Sequence, residues 1–139
     1  MSRLRNRLAA TAAAALVLGA GALTAAPAAV AKANLIAIDG VALRSPGIQV
    51  DVTYSCDPGM NHQLVANATA NAGTNHESVA AATIKTGKLV CDYDDHKAQV
   101  YLRPALGSHF AKGDEVQVKV YYFDDEGFSY AQQETVTVL

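Results

Sequence analysis

Ile48, Val50, Val52, Tyr54 and Cys56 alternate with Gln49, Asp51, Thr53 and Ser55. A period of two of this kind defines a half-buried β-strand, here with its cysteine on the inner face. Val116, Val118, Val120 and Tyr122 alternate in the same way with Gln117, Lys119 and Tyr121, and Ala98, Val100 and Leu102 with Gln99, Tyr101 and Arg103. Leu64, Ala66, Ala68 and Ala70 form a stripe of small residues between Val65, Asn67, Thr69 and Asn71, suited to close approach of a facing sheet. Leu35 to Leu43 reads as a first strand, ended by the turn Ser45-Pro46-Gly47. Residues 78–85 suit a short helix as well as a strand; Lys88 to Tyr93 reads as a short strand carrying Cys91, and Thr135 to Val138 as a last strand with two inward valines.

The end of the chain poses a register problem. A four-residue loop Asp124 to Gly127 sets Phe123 opposite Phe128 and Tyr121 opposite Tyr130, on the face opposite Val118 and Val120. That register turns Val136 and Val138 outward, so either a bulge near Gln132-Gln133 or a loop one residue longer is required. Seven to eight short strands with regular turn signals and no long helical pattern predict an all-β antiparallel sandwich.

The first 33 residues differ in kind. Arg3, Arg5 and Arg7 precede an apolar run from Leu8 to Leu23, and small-residue cleavage sites follow at Ala29-Val30-Ala31 and Ala31-Lys32-Ala33. This is the pattern of a secretory signal peptide, cleaved after Ala31 or Ala33, and without an Arg-Arg pair it points to the general export route. Residues 34–139 are then expected to form a single exported domain. In that segment thirteen acidic residues face seven Lys and Arg, a net charge of −6. Such a balance opposes non-specific binding to nucleic acid or to anionic membrane, and no run of about twenty apolar residues follows to insert in a bilayer. Cys56 and Cys91, alone in an exported chain, are most simply one disulfide, whose 35-residue separation gives it a chain-entropy value of about 4 kcal/mol. A metal site or a catalytic thiol is the alternative, and two cysteines this far apart support neither.

The order of these features resembles a family of small, uncharacterised secreted proteins of actinomycete type. The resemblance lies in the alanine-rich leader, the strand Val50-x-Val-x-Tyr-x-Cys56, and Cys91-Asp92 before the strand Ala98 to Leu102. It extends to the turn Lys112-Gly113-Asp114 into Val116 to Val120. It implies an immunoglobulin-like β-sandwich of seven to eight strands with one disulfide, and it carries no activity and no functional residues. The chain lacks tryptophan, and Leu89 stands where an antibody-type tyrosine corner would place Tyr.

Candidate chemistry is sparse. Asp92, Asp94 and Asp95 beside His96 offer carboxylate oxygens to a calcium ion, but without the spacing of an EF-hand; a solvated Asp-rich turn is the commoner arrangement. His62, His76, His96 and His109 fall near loops or strand ends at no zinc-binding spacing, and each reads as a solvent-exposed loop histidine. Ser108-His109 is a neighbour pair, not a triad, and neither a Gly-x-Ser-x-Gly elbow nor a cofactor motif is present. The sequon Asn67-Ala68-Thr69 is incidental in a chain of bacterial character.

The aromatic hairpin is the strongest candidate. Tyr121, Phe123, Phe128 and Tyr130, rimmed by Asp124, Asp125 and Glu126, form a contact patch if they face outward, and cap the core or cover a sheet edge if they do not. The sequence therefore predicts a secreted, monomeric, non-enzymatic module that binds an extracellular protein or glycan or associates with the cell surface. An inhibitor of an extracellular hydrolase, projecting Met60-Asn61-His62 after Pro58-Gly59, is the alternative.

Overall fold

The computed structural model describes residues 34–139, so the signal-peptide reading of residues 1–33 lies outside the described residues. Seven strands follow in order: β1 (Leu35–Arg44), β2 (Gly47–Ser55), β3 (His62–Ala70), β4 (Ser78–Ile84), β5 (His96–Pro104), β6 (Glu115–Asp124) and β7 (Ser129–Val138). They form one antiparallel sheet in the order β1-β2-β5-β4-β3-β6-β7. The sheet curls until its two ends approach, and Ile38 to Val41 of β1 line a shallow groove with Thr135 and Thr137 of β7. It is nearly closed, and the inner face of every strand points at a common core.

The ladder is continuous within β1-β2-β5 and within β4-β3-β6-β7, and thin between them. β4 meets β5 through two pairs only, Ala80 with Pro104 and Ala81 with Arg103. Period-two alternation supplies the core: Ile48, Val50, Val52 and Tyr54 from β2, Leu64, Ala66, Ala68 and Ala70 from β3, Val100 and Leu102 from β5, and Val116, Val118, Val120 and Tyr122 from β6 are all buried. Each fully buried Val, Leu or Ile contributes about 1.5–3 kcal/mol. The alanine stripe of β3 lets the opposite ladder come close, and the Tyr122 hydroxyl reaches across to donate to the Ser55 carbonyl of β2 at 2.8 Å. Gly47 is required where β2 begins, because a Cβ there would collide with the Leu102 carbonyl oxygen.

Residues 78–85, which suited either helix or strand, form a strand over Ser78–Ile84, with Ala80 in the core opposite Ala68. One segment departs from the sequence expectation. Lys88 to Tyr93 is not a strand: a single 3-10 turn spans Thr86–Lys88, and the chain runs irregularly to His96. Its backbone donors go elsewhere, Val90 N to the Tyr54 hydroxyl at 3.0 Å and Tyr93 N to the Cys56 carbonyl at 3.2 Å. Tyr93 is left-handed at φ 68°, which breaks any pleat. This irregular path brings Cys91 to Cys56, and the two form the expected disulfide.

Candidate functional site

The loop between β6 and β7 is built around one carboxylate. Asp124 Oδ1 accepts from the backbone N–H of Glu126 at 3.0 Å and of Phe128 at 2.8 Å, while Asp124 N donates to the Phe128 carbonyl at 2.9 Å. Gly127 sits at φ 91°, where a side chain is disfavoured. Asn61, from the loop before β3, donates to Asp125 Oδ2 at 3.0 Å and ties the tip to the neighbouring loop. Asp124 is therefore the residue that shapes the turn, and Asp125, Glu126 and Phe128 are what the turn presents. Phe128 is 65% exposed.

The hairpin register corrects the sequence reading. Phe123 pairs with Ser129 and Tyr122 with Tyr130, so the loop is one residue longer than four. A bulge also occurs: the register shifts between Val120 and Tyr122, with Ala131 left-handed at φ 53°. Either change alone would turn Val136 and Val138 inward; together they cancel. Thr135 and Thr137 consequently take the half-buried positions, and Val136 and Val138 stand 58% and 63% exposed.

The same register divides the aromatic set. Tyr121 and Phe123 lie on the outer face of β6, opposite Val65 and Gln63 of β3. The Tyr121 hydroxyl accepts from Asn67 Nδ2 at 3.3 Å, which fixes its ring, and Phe123 is 39% exposed. Tyr130 instead turns inward, its ring centroid 5.5 Å from Tyr122 and 5.9 Å from His62. Burial, reinforced by the charges of Asp124 and Asp57, pushes its phenol above the usual tyrosine range. Tyr121 and Phe123 thus share the outer face of β6, Asp125, Glu126 and Phe128 are exposed in the loop that follows, and Tyr130 packs in the interior.

The second acidic cluster is of a different kind. Asp92 Oδ1 accepts from Asp94 N at 3.0 Å and meets His96 Nε2 at 2.7 Å, and that histidine contact holds the Asp92 carboxyl below its ordinary range. Asp92, Asp94 and Asp95 are exposed, and they do not gather into a group of ligand spacing among the described residues. The cluster lies at the same end of the fold, since His96 pairs with Tyr54 two residues before Cys56. Ser108 and His109 serve the opposite end structurally: Ser108 Oγ accepts from Val79 N and His109 N donates to Ser78 Oγ, both at 2.9 Å.

His62 is the residue that sequence reasoning misplaced. It is 1% exposed, not a loop side chain in solvent. The signal was present in the stripe itself, because residues 62, 64, 66, 68 and 70 share one face of a strand. Its ring packs edge-on to Tyr122 at 4.7 Å, and burial lowers its pKa against the opposing influence of the Asp57 and Asp124 carboxylates. Its Nδ1, the Tyr130 hydroxyl and Asp57 Oδ1 are buried without hydrogen-bond partners. Among the described residues, Cys56, His62 and Cys91 are the one group of three donors at metal-ligand spacing, and in the disulfide neither sulfur is a thiolate. No helix among the described residues is long and apolar enough to cross a membrane. No protein-family model, curated protein sequence or solved structure matches this chain.

Proposed function

We propose that this chain is an exported, monomeric, non-enzymatic binding module that recognises an extracellular protein or glycan through the outer aromatic end of the β6–β7 hairpin. The observation that carries the reading is Phe128, raised into solvent by a loop whose backbone is tied to the Asp124 side chain. An aromatic ring on a fixed loop offers large contact area with little conformational entropy left to lose, the property common to binding hot spots. Phe123 and Tyr121 extend the apolar area along β6, and Asp125 and Glu126 give it an acidic rim suited to a partner with Lys, Arg or a hydrogen-bonding sugar edge.

Export is supported by Arg3, Arg5 and Arg7, the apolar run from Leu8 to Leu23 and the small-residue sites near Ala31 and Ala33. An immunoglobulin-like sandwich is the finer description we favour for the fold, supported by the thin β4–β5 junction between a three-strand and a four-strand ladder. It agrees with the resemblance to small secreted actinomycete-type proteins. The inhibitor alternative rests on a projecting Met60-Asn61-His62 loop; His62 is buried and Asn61 is bonded to Asp125, so the aromatic end is the better contact surface.

The test is affinity capture from culture fluid and envelope extract of the source, with wild-type protein and Phe123→Ala side by side. One protein or glycan retained by wild type and lost by a folded Phe123→Ala supports the reading. Equal retention by both removes the aromatic end as the contact surface.

A further inference from the structure

His62 and the disulfide form a second constellation, independent of the aromatic end. Cys56 follows β2, Cys91 lies in the irregular segment before β5, and His62 opens β3. Cys91 Sγ is 3.9 Å from His62 Nε2, and one donor atom from each of the three residues falls within 4.8 Å of the others. A tetrahedral zinc ion with Zn–S of about 2.3 Å and Zn–N of about 2.0 Å sets neighbouring donor atoms about 3.5–3.8 Å apart. The histidine is thus already near the spacing that a metal would impose.

Further observations point to a ligand here rather than to plain packing. His62 is almost wholly buried, yet its Nδ1 has no hydrogen-bond partner. Asp57, next to Cys56, has a buried and unpartnered Oδ1, and its negative charge acts on His62. The histidine is also well braced: the rings of Tyr122 and Tyr130 meet it edge-on, and Thr86 Oγ1 donates to its carbonyl. The two cysteines stand outside the strand ladder, where local rearrangement breaks no sheet pairing.

We propose that Cys56, Cys91 and His62 form a redox-gated site for a thiophilic divalent cation of the zinc class, closed to metal as the disulfide and opened by reduction. A dithiol donor breaks the Sγ–Sγ bond, supplying two electrons and two protons to give two cysteine thiols, and is itself oxidised to a disulfide. On binding the cation both thiols release their protons, so two thiolates offset the 2+ charge, and neutral His62 supplies the third donor. Asp57 contributes negative charge beside the site. A disulfide oxidant reverses the step: it takes two electrons from the bound thiolates and, with two protons from solvent, becomes two thiols, while the Sγ–Sγ bond reforms and the cation is released, so one pair of cysteines alternates between a covalent and a coordinated cross-link.

Cobalt(II) is the probe, because thiolate-bound cobalt has charge-transfer absorption that zinc lacks. The protein is reduced under argon, freed of reductant and titrated, with circular dichroism recorded alongside. One Co²⁺ per reduced chain with thiolate charge-transfer absorption, none per oxidised chain, and affinity weakened by more than about tenfold in both His62→Phe and Cys56→Ser is the result expected. Refolding of a reduced, unfolded chain by Co²⁺ has the same meaning. Absence of that absorption from the reduced protein overturns the proposal. So does binding that is indifferent to His62→Phe, because it would come from the thiols alone.

Discussion

β6 makes two ladders of opposite character, one with β3 and one with β7. Against β3 it pairs without interruption from Ala70 with Val116 to His62 with Asp124. Against β7 it passes through a longer loop, a left-handed alanine and a bulge. The difference lies in what a one-residue slip would cost. On β3 a slip would bury Asn67 and Thr69 and expose Leu64 and the alanines, so the alternation itself fixes the register. On β7 a slip exchanges Thr135 and Thr137 for Val136 and Val138, side chains of nearly equal shape at positions only half-buried, where a hydroxyl is not forced out of water. The side chains decide little there, and turn and bulge geometry decides instead.

The largest test of that contrast compares matched truncations. Leu64→Ala, at a fully buried position of the β3–β6 ladder, is expected to lose about 2–5 kcal/mol of unfolding free energy. Val136→Ala on β7 should stay within about 0.5 kcal/mol of wild type. Denaturant unfolding measures both, and a Val136→Ala loss near that of Leu64→Ala would mean that β7 turns its valines inward.

The pH dependence probes the deep end of the same ladder. Because burial lowers the His62 pKa from 6.5, the unfolded chain takes up the proton more readily than the folded one. Its contribution to stability is complete above about pH 6.5 and is lost as pH falls from there through the lowered folded value. His62→Gln should flatten the fall in unfolding free energy between pH 7.5 and pH 5. An unchanged slope would mean that His62 is solvated.

A smaller effect, of unusual sign, is expected at the bulge. Left-handed backbone costs a non-glycine residue about 1–2 kcal/mol, and glycine's extra chain entropy costs about 0.5–1 kcal/mol. Ala131→Gly should therefore leave stability level or raise it by up to about 1.5 kcal/mol. A clear loss would indicate ordinary strand geometry at Ala131 and no bulge.

Sequence patterning revealed the strands with the cleanest alternation and the disulfide, and it left open which way the hairpin aromatics face. It failed where local geometry overrode alternation. Cys91 reads as strand, but its backbone neighbours bond to Tyr54 and Cys56 instead of to a ladder. Tyr130 reads as a partner of Tyr121, yet one extra loop residue carries it into the core beside Tyr122. His62 was legible in the β3 stripe and was obscured by its polarity and by the preceding loop. Asp124 looked like one of several surface acids, and only the hydrogen bonds to Glu126 and Phe128 distinguish it.

The division of the hairpin into an outer contact end and an inner packing end is tested most directly on Phe128→Ala and Tyr130→Ala, each measured for unfolding free energy and for partner retention. Phe128→Ala should unfold within about 0.5 kcal/mol of wild type and lose the captured partner. Tyr130→Ala should lose about 2 kcal/mol of stability by removing a ring packed on His62 and Tyr122. A Phe128→Ala protein that is strongly destabilised, or that retains the partner at full strength, would contradict the account.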